Sequence, residues 1–282
     1  MGLKGALLVA WALAVPAHAQ TAAPPAEEVL FVKRELFPFD AQLETTVYRP
    51  AGTGPWPMVV ANHGQRDFGD QKQQPRNQPV ETARFFLERG YLVVAPMRQG
   101  FSRSTGVYAF QCDHERYARR YAGDISAVVK HFVASGEVRP DQVLVTGQSN
   151  GGFVLLGYAA ESAKDEVKPR AIVNFAGGFN SNRTDCNWRA GMIDAARVFG
   201  ANTRVPALWL YAQDDTIFPP SISEPCFAAY QEGHPDAEFK LYPRGGHGMS
   251  NTRSGRQMWG PDLEAFLRRV GLPADVVAPG TR

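Results

Sequence analysis

The sequence carries little net charge: 30 Lys and Arg stand against 28 Asp and Glu, leaving +2, and no basic run stands out. Nucleic-acid binders need clustered cations to neutralise phosphates, so that class has no compositional support. No internal repeat is visible, which argues against solenoids and propellers. Long apolar runs are missing too. The run over residues 5–15 would cover roughly 16 Å as a helix, against the ~30 Å of a bilayer core. Cysteine is scarce, with three in 282 residues, so at most one internal bridge can form and one thiol is left over.

What the sequence does have begins at its first residues. Lys4 is followed by the apolar stretch 5–15 and then Pro16-Ala17-His18-Ala19, a small-x-small ending. This reads as a secretory signal peptide over 1–19, cut between Ala19 and Gln20. The alternative, an N-terminal membrane anchor, conflicts with the length of the run. Residues 20–28 read as an exit linker. The expectation is an exported protein, periplasmic or extracellular, with no stable membrane span. Disulfides persist in that setting. Cys226 opens the apolar Cys-Phe-Ala-Ala-Tyr230 and reads as a buried helix residue, whereas Cys112 and Cys186 lie in polar loop sequence. The favoured bridge is Cys112–Cys186, against the alternative of three free thiols.

Strand-like and helix-like segments then alternate. Strands are expected over 56–62, 91–95, 142–146, 170–175, 205–212 and 238–242. Helices are expected over 79–90, 115–135, 151–162, 189–199, 224–231 and 257–270. Segments 29–36 and 43–48 read as an antiparallel edge hairpin. Strict alternation implies an α/β fold with a mostly parallel sheet and helices on both faces. The strands are nearly continuous in apolar residues, which fits a sheet covered on both sides. Residues 29–282 read as a single domain without a large cap.

Strand 142–146 runs into Gly147-Gln148-Ser149-Asn150-Gly151-Gly152 and then a helix. Gly-x-Ser-x-Gly in that setting is a nucleophile elbow, a tight turn that projects the hydroxyl of Ser149 from the sheet. The other reading is a plain glycine turn. A serine nucleophile needs an imidazole to take its proton, and a carboxylate to orient that imidazole. On this architecture the order is Ser, then acid, then His, all at the carboxyl ends of strands. Strand 205–212 ends in Asp214-Asp215, and Asp215 is the choice for the acid. The spacing from Asp215 to Pro219 matches the usual acid turn, leaving Asp214 as a solvated turn residue or backbone cap. His247, in Gly245-Gly246-His247, follows strand 238–242 at the same edge. His63 and His114 precede the serine, His131 lies in a helix and His234 falls at the opposite edge. His114 reads as a surface loop residue. For an oxyanion the expected donors are the N–H groups of Asn150 and Gln65; a plain strand exit is the other reading of His63-Gly64.

With these residues placed, the chain resembles the dienelactone-hydrolase-like and prolyl-oligopeptidase-like branches of the α/β-hydrolases. The resemblance runs from Leu43 to Val270. It rests on His63-Gly64, the turn from Arg98 to Gly106, Gly147 to Gly152, Asp215 to Pro219, and Gly246-His247. It implies hydrolysis of esters, lactones or peptide bonds without a metal or organic cofactor. Dienelactone hydrolases proper use a cysteine where this chain has Ser149, and no segment here could encode a propeller. The expected activity is therefore cleavage of small-molecule or oligomeric carboxylic esters through an acyl-enzyme. Amidase or short-peptide peptidase activity is the alternative. A silent binding protein on the same scaffold is a third reading, but its expected mark is a broken triad. Tyr108, Phe110, Phe179, Trp188 and Phe218 fall in loops of the catalytic edge, either lining a pocket or packing those loops down.

Overall fold

A computed structural model describes residues 24–66, 69–109 and 112–277. The expected signal peptide and residues 20–23 of the expected linker lie outside these residues, as does Phe110. Among the described residues no helix is long and apolar enough to cross a membrane.

Among the described residues eight strands form one sheet: β1 (Glu28–Arg34), β2 (Ala41–Tyr48), β3 (Trp56–Asn62), β4 (Leu92–Pro96), β5 (Val138–Gln148), β6 (Ala171–Phe175), β7 (Ala207–Ala212) and β8 (Glu238–Tyr242). Their order is β1-β2-β4-β3-β5-β6-β7-β8. β1 and β2 form the antiparallel hairpin, and β2 also pairs antiparallel with β4. From β4 to β8 every pairing is parallel. Six α-helices of the described residues cross between or follow the strands: α1 (Val80–Leu87), α2 (His114–Ala134), α3 (Asn150–Glu161), α4 (Trp188–Asn202), α5 (Pro220–Gln231) and α6 (Arg253–Arg269).

Side chains alternate across a strand, so adjacent residues feed different cores. Met58 and Val60, Leu92 and Val94, and Val143 and Val145 join one core with α2, α3, α4 and α5. Val59, Val93 and Leu144 point the other way, to Phe86 of α1 and Trp259, Leu263 and Phe266 of α6. This double burial is why the strands lack polar alternation. Helix ends follow their caps: Asp113 accepts from the Arg116 N–H at 2.9 Å, and Thr252 accepts from the Gly255 N–H at 3.0 Å. Two starts lie four residues upstream of the sequence reading. α5 begins at Pro220, where a proline has no N–H to lose in the first turn. α6 begins just after its Thr252 cap.

The strand order locates a crevice. β3 leads through α1 to β4 on one side, and the chain then returns past β3 to β5 and continues outward. The loops leaving β3 and β5 therefore turn to opposite faces of the sheet. Such a switch point, at the carboxyl ends of strands, is where open α/β sheets bind ligands.

Candidate functional site

Ser149 stands at the junction of β5 and α3 with φ +55° and ψ −126°. A non-glycine residue held there costs on the order of 1–3 kcal/mol, so its surroundings must impose it. They do so through the backbone. The Ser149 N–H donates to the Phe175 carbonyl at 3.0 Å, and its own carbonyl accepts from Phe153 and Gly178, each at 3.1 Å. The flanking glycines are required by close approach. A Cβ on Gly147 would stand 2.4 Å from the Gly151 oxygen, and one on Gly151 would stand 2.5 Å from the carbonyl oxygens of Asn62 and His63. The β3 exit loop crosses directly over the serine: a Cβ on Gly64 would lie 3.0 Å from the Ser149 Cβ.

Asp215 leaves β7 as a buried carboxylate, 2% exposed. Its Oδ1 accepts from the N–H groups of Ile217 and Phe218 at 2.8 and 3.0 Å, and its Oδ2 lies 2.9 Å from Nδ1 of His247. Burial pushes this carboxyl's pKa upward, but the His247 ring and the two N–H groups prevail and hold it below the usual value. An ionised Oδ2 can only accept, so Nδ1 carries a proton, and in the neutral imidazole Nε2 is left as an acceptor. Asp214 takes a different task. Its carboxylate accepts from the N–H groups of Gly246 at 2.7 Å and Gly245 at 3.3 Å, bracing the turn that presents His247. Gln148, beside the serine, donates to the His247 carbonyl at 3.0 Å. Asp215 and His247 are thus joined, and His247 is tied to the elbow through Gln148. The Ser149 hydroxyl itself hydrogen-bonds none of the described residues.

The two residues expected to supply oxyanion donors flank this point. Asn150 opens α3 and Gln65 follows Gly64 on the crossing loop. The Gln65 side chain accepts from the Tyr108 hydroxyl at 3.3 Å. Sequence reasoning missed what lies behind them. His63 is buried, with Nε2 3.0 Å from the Arg98 N–H and Nδ1 2.7 Å from the Gly64 carbonyl. Burial first, and the Arg98 cation second, depress its pKa well below the ordinary value. The Arg98 to Gly106 turn was conspicuous in the sequence, but nothing in it pointed to partners 35 and 52 residues away.

Cys112 and Cys186 form a disulfide with Cα atoms 5.5 Å apart, joining the loops after β4 and β6. Cys226 is free and buried in α5, as expected. The reading of His114 as a surface residue is corrected: it is 2% exposed at the start of α2. Its polar sequence neighbours concealed that the bridged loop folds down onto residues 177–179. There Nδ1 meets the Cys112 carbonyl at 2.8 Å and Nε2 meets the Phe179 carbonyl at 3.2 Å. Phe179 and Phe218 are packing residues, 2% and 1% exposed, and Phe179 stacks on Tyr117 at 4.1 Å. Tyr108 and Trp188 are half-buried.

This sheet and its crossovers define an α/β-hydrolase, of the esterase and peptidase type. The chain belongs to the X-Pro dipeptidyl-peptidase family (S15), which it matches over residues 40–216. The match ends just past Asp215. The bifunctional esterase/perhydrolase DCH of Acinetobacter calcoaceticus is 34% identical over 91 residues, covering 32% of this chain but only 29% of that protein. Among solved structures, the Pyrococcus furiosus esterase Pf2001 superposes with a TM-score of 0.62 at 15% identity, over 87% of this chain and 91% of that one. A Mycobacterium tuberculosis puromycin-hydrolyzing peptidase superposes with a TM-score of 0.63 at 16% identity, over 88% of this chain and 40% of that one. At these identities the two structures speak for the fold. The expected kinship with the α/β-hydrolases is borne out.

Proposed function

We propose that the protein is an exported serine hydrolase that cleaves carboxylic esters through Ser149, Asp215 and His247. The observation that carries this reading is the Asp215–His247 pair at 2.9 Å, on a loop tied by Gln148 to an elbow holding Ser149 at φ +55°. His247 Nε2 takes the serine proton as Ser149 attacks the ester carbonyl, and the oxyanion is met by the N–H groups of Asn150 and Gln65. His247 then protonates the leaving alcohol, and water releases the acyl group by the same route in reverse. The serine–imidazole hydrogen bond is often loose in unliganded enzymes and tightens with substrate. Export is supported by the disulfide, which suits an oxidising compartment.

Peptide or amide cleavage is the second reading, favoured by the family match itself. One experiment addresses both. Fluorophosphonate labelling mapped to Ser149, and loss of turnover by several orders of magnitude in Ser149→Ala, are the expected results. An ester, its matching amide and an X-Pro anilide are then compared. An alanine variant keeping a tenth of the activity removes Ser149 from the mechanism, and faster cleavage of the anilide replaces esterase by peptidase.

A further inference from the structure

Arg98 lies in the loop after β4 and is 1% exposed. A buried guanidinium ordinarily meets a carboxylate. Here its hydrogen-bond acceptors are neutral: Nη1 donates to the His63 carbonyl at 2.6 Å, and Nη2 donates to Asn150 Oδ1 at 2.7 Å. The rings of Phe101 and Tyr121 lie 4.9 and 5.5 Å from the cation. A second donor, the Tyr117 hydroxyl, reaches the same Asn150 oxygen at 3.0 Å. One side chain therefore spans the loop that carries Gln65 and the residue that opens α3.

The backbone of Arg98 acts on the same loop. Its N–H donates to His63 Nε2, so the ring proton sits on Nδ1, which donates to the Gly64 carbonyl at 2.7 Å. In a trans peptide the carbonyl and the following N–H point in opposite directions. Holding the Gly64 oxygen against His63 therefore turns the Gln65 N–H away from the interior. We propose, resting on the reading of Ser149 as nucleophile, that Arg98 is the positioning residue of the oxyanion site. It fixes the spacing of the Asn150 and Gln65 donors directly through its guanidinium and indirectly through the His63 ring. Among the described residues its charge is hydrogen-bonded to no anion, and the buried Asp124 carboxylate lies within Coulombic reach of it.

The test compares Arg98→Met and Arg98→Lys with wild type, after fluorophosphonate labelling has been mapped to Ser149. The readouts are kcat and KM on an ester, the affinity for an arylboronic acid, and folding by circular dichroism. A boronate forms a tetrahedral adduct on the serine and uses the oxyanion donors as the transition state does. We expect kcat to fall about 10–100-fold, boronate affinity to fall in parallel, and KM to stay within roughly threefold. Lysine keeps the charge but cannot span both acceptors, so it should rescue little. Should both variants fail to fold, Asn150→Ala decides, because it removes one anchor and keeps the backbone donor. Unchanged kcat and boronate affinity in a folded variant, or full rescue by lysine, overturns the proposal alone. Absence of labelling at Ser149 in the wild type overturns it together with the proposed function.

Discussion

Asp214 and Asp215 hold the His247 loop at two levels. Asp214 accepts from the N–H groups of Gly245 and Gly246, while Asp215 accepts from the ring of His247. One braces the backbone and the other orients the imidazole. Asp215→Asn should lower kcat by roughly 10⁴-fold, because an amide no longer enforces the required tautomer. Asp214→Asn should cost far less, since its remaining oxygen can still accept from a glycine N–H. Steady-state kinetics on both variants checks the order, and a reversed order would move the acid to Asp214.

The thiols make a second prediction. Cys112–Cys186 closes a separation of 74 residues, for which the chain-entropy model allows up to ~4–5 kcal/mol, often less in practice. Reduction should lower the melting temperature. Burial pushes the Cys226 thiol up to about 12, so it should resist alkylation in the native protein and react only after denaturation. Peptide mapping without reductant should recover a Cys112–Cys186 crosslink and a single alkylated cysteine. Three alkylated cysteines would defeat this account.

Acid should destabilise the fold through its buried histidines. Burial depresses the pKa of His63 and of His114 in the folded state. The unfolded chain binds protons at these residues as pH falls below about 6.5, while the folded chain does not. Stability is then complete above that pH and declines below it, by at most ~1.4 kcal/mol per pH unit for each histidine. Urea denaturation between pH 7.5 and 5 should show the decline, and His114→Gln should flatten it. An identical slope in the variant would exclude His114 as a contributor.

Gly151→Ala tests the elbow without touching a reacting group. Its methyl would meet two carbonyl oxygens at 2.5 Å, so backbone must move. A loss of about 1–3 kcal/mol or more is expected from overpacking, together with loss of activity. Normal turnover in a folded Gly151→Ala would show that the turn is less constrained than its contacts imply.

The alternation of strands and helices was legible because each strand is apolar on both faces, as Val59 and Val60 illustrate by entering different cores. The placement of Asp215 beside His247, at the edge where Ser149 stands, was legible because strand ends dictate which residues reach one edge. The supporting layer was not. Arg98 holds His63 and Asn150 across 35 and 52 residues, and periodicity carries no information about such contacts. His114 was misread for a related reason: polar neighbours describe the loop, whereas its burial depends on where the bridge pulls that loop.

That bridge has a practical consequence for the choice of production host. Protein made in a reducing cytosol would carry the same Ser149, Asp215 and His247, yet its loops at Cys112 and Cys186 would be joined only by weaker contacts. Two preparations of identical sequence and mass, apart from two hydrogens, would then differ in the rim around the crevice. Substrate preferences measured on them are comparable only when the redox state of that pair has been fixed.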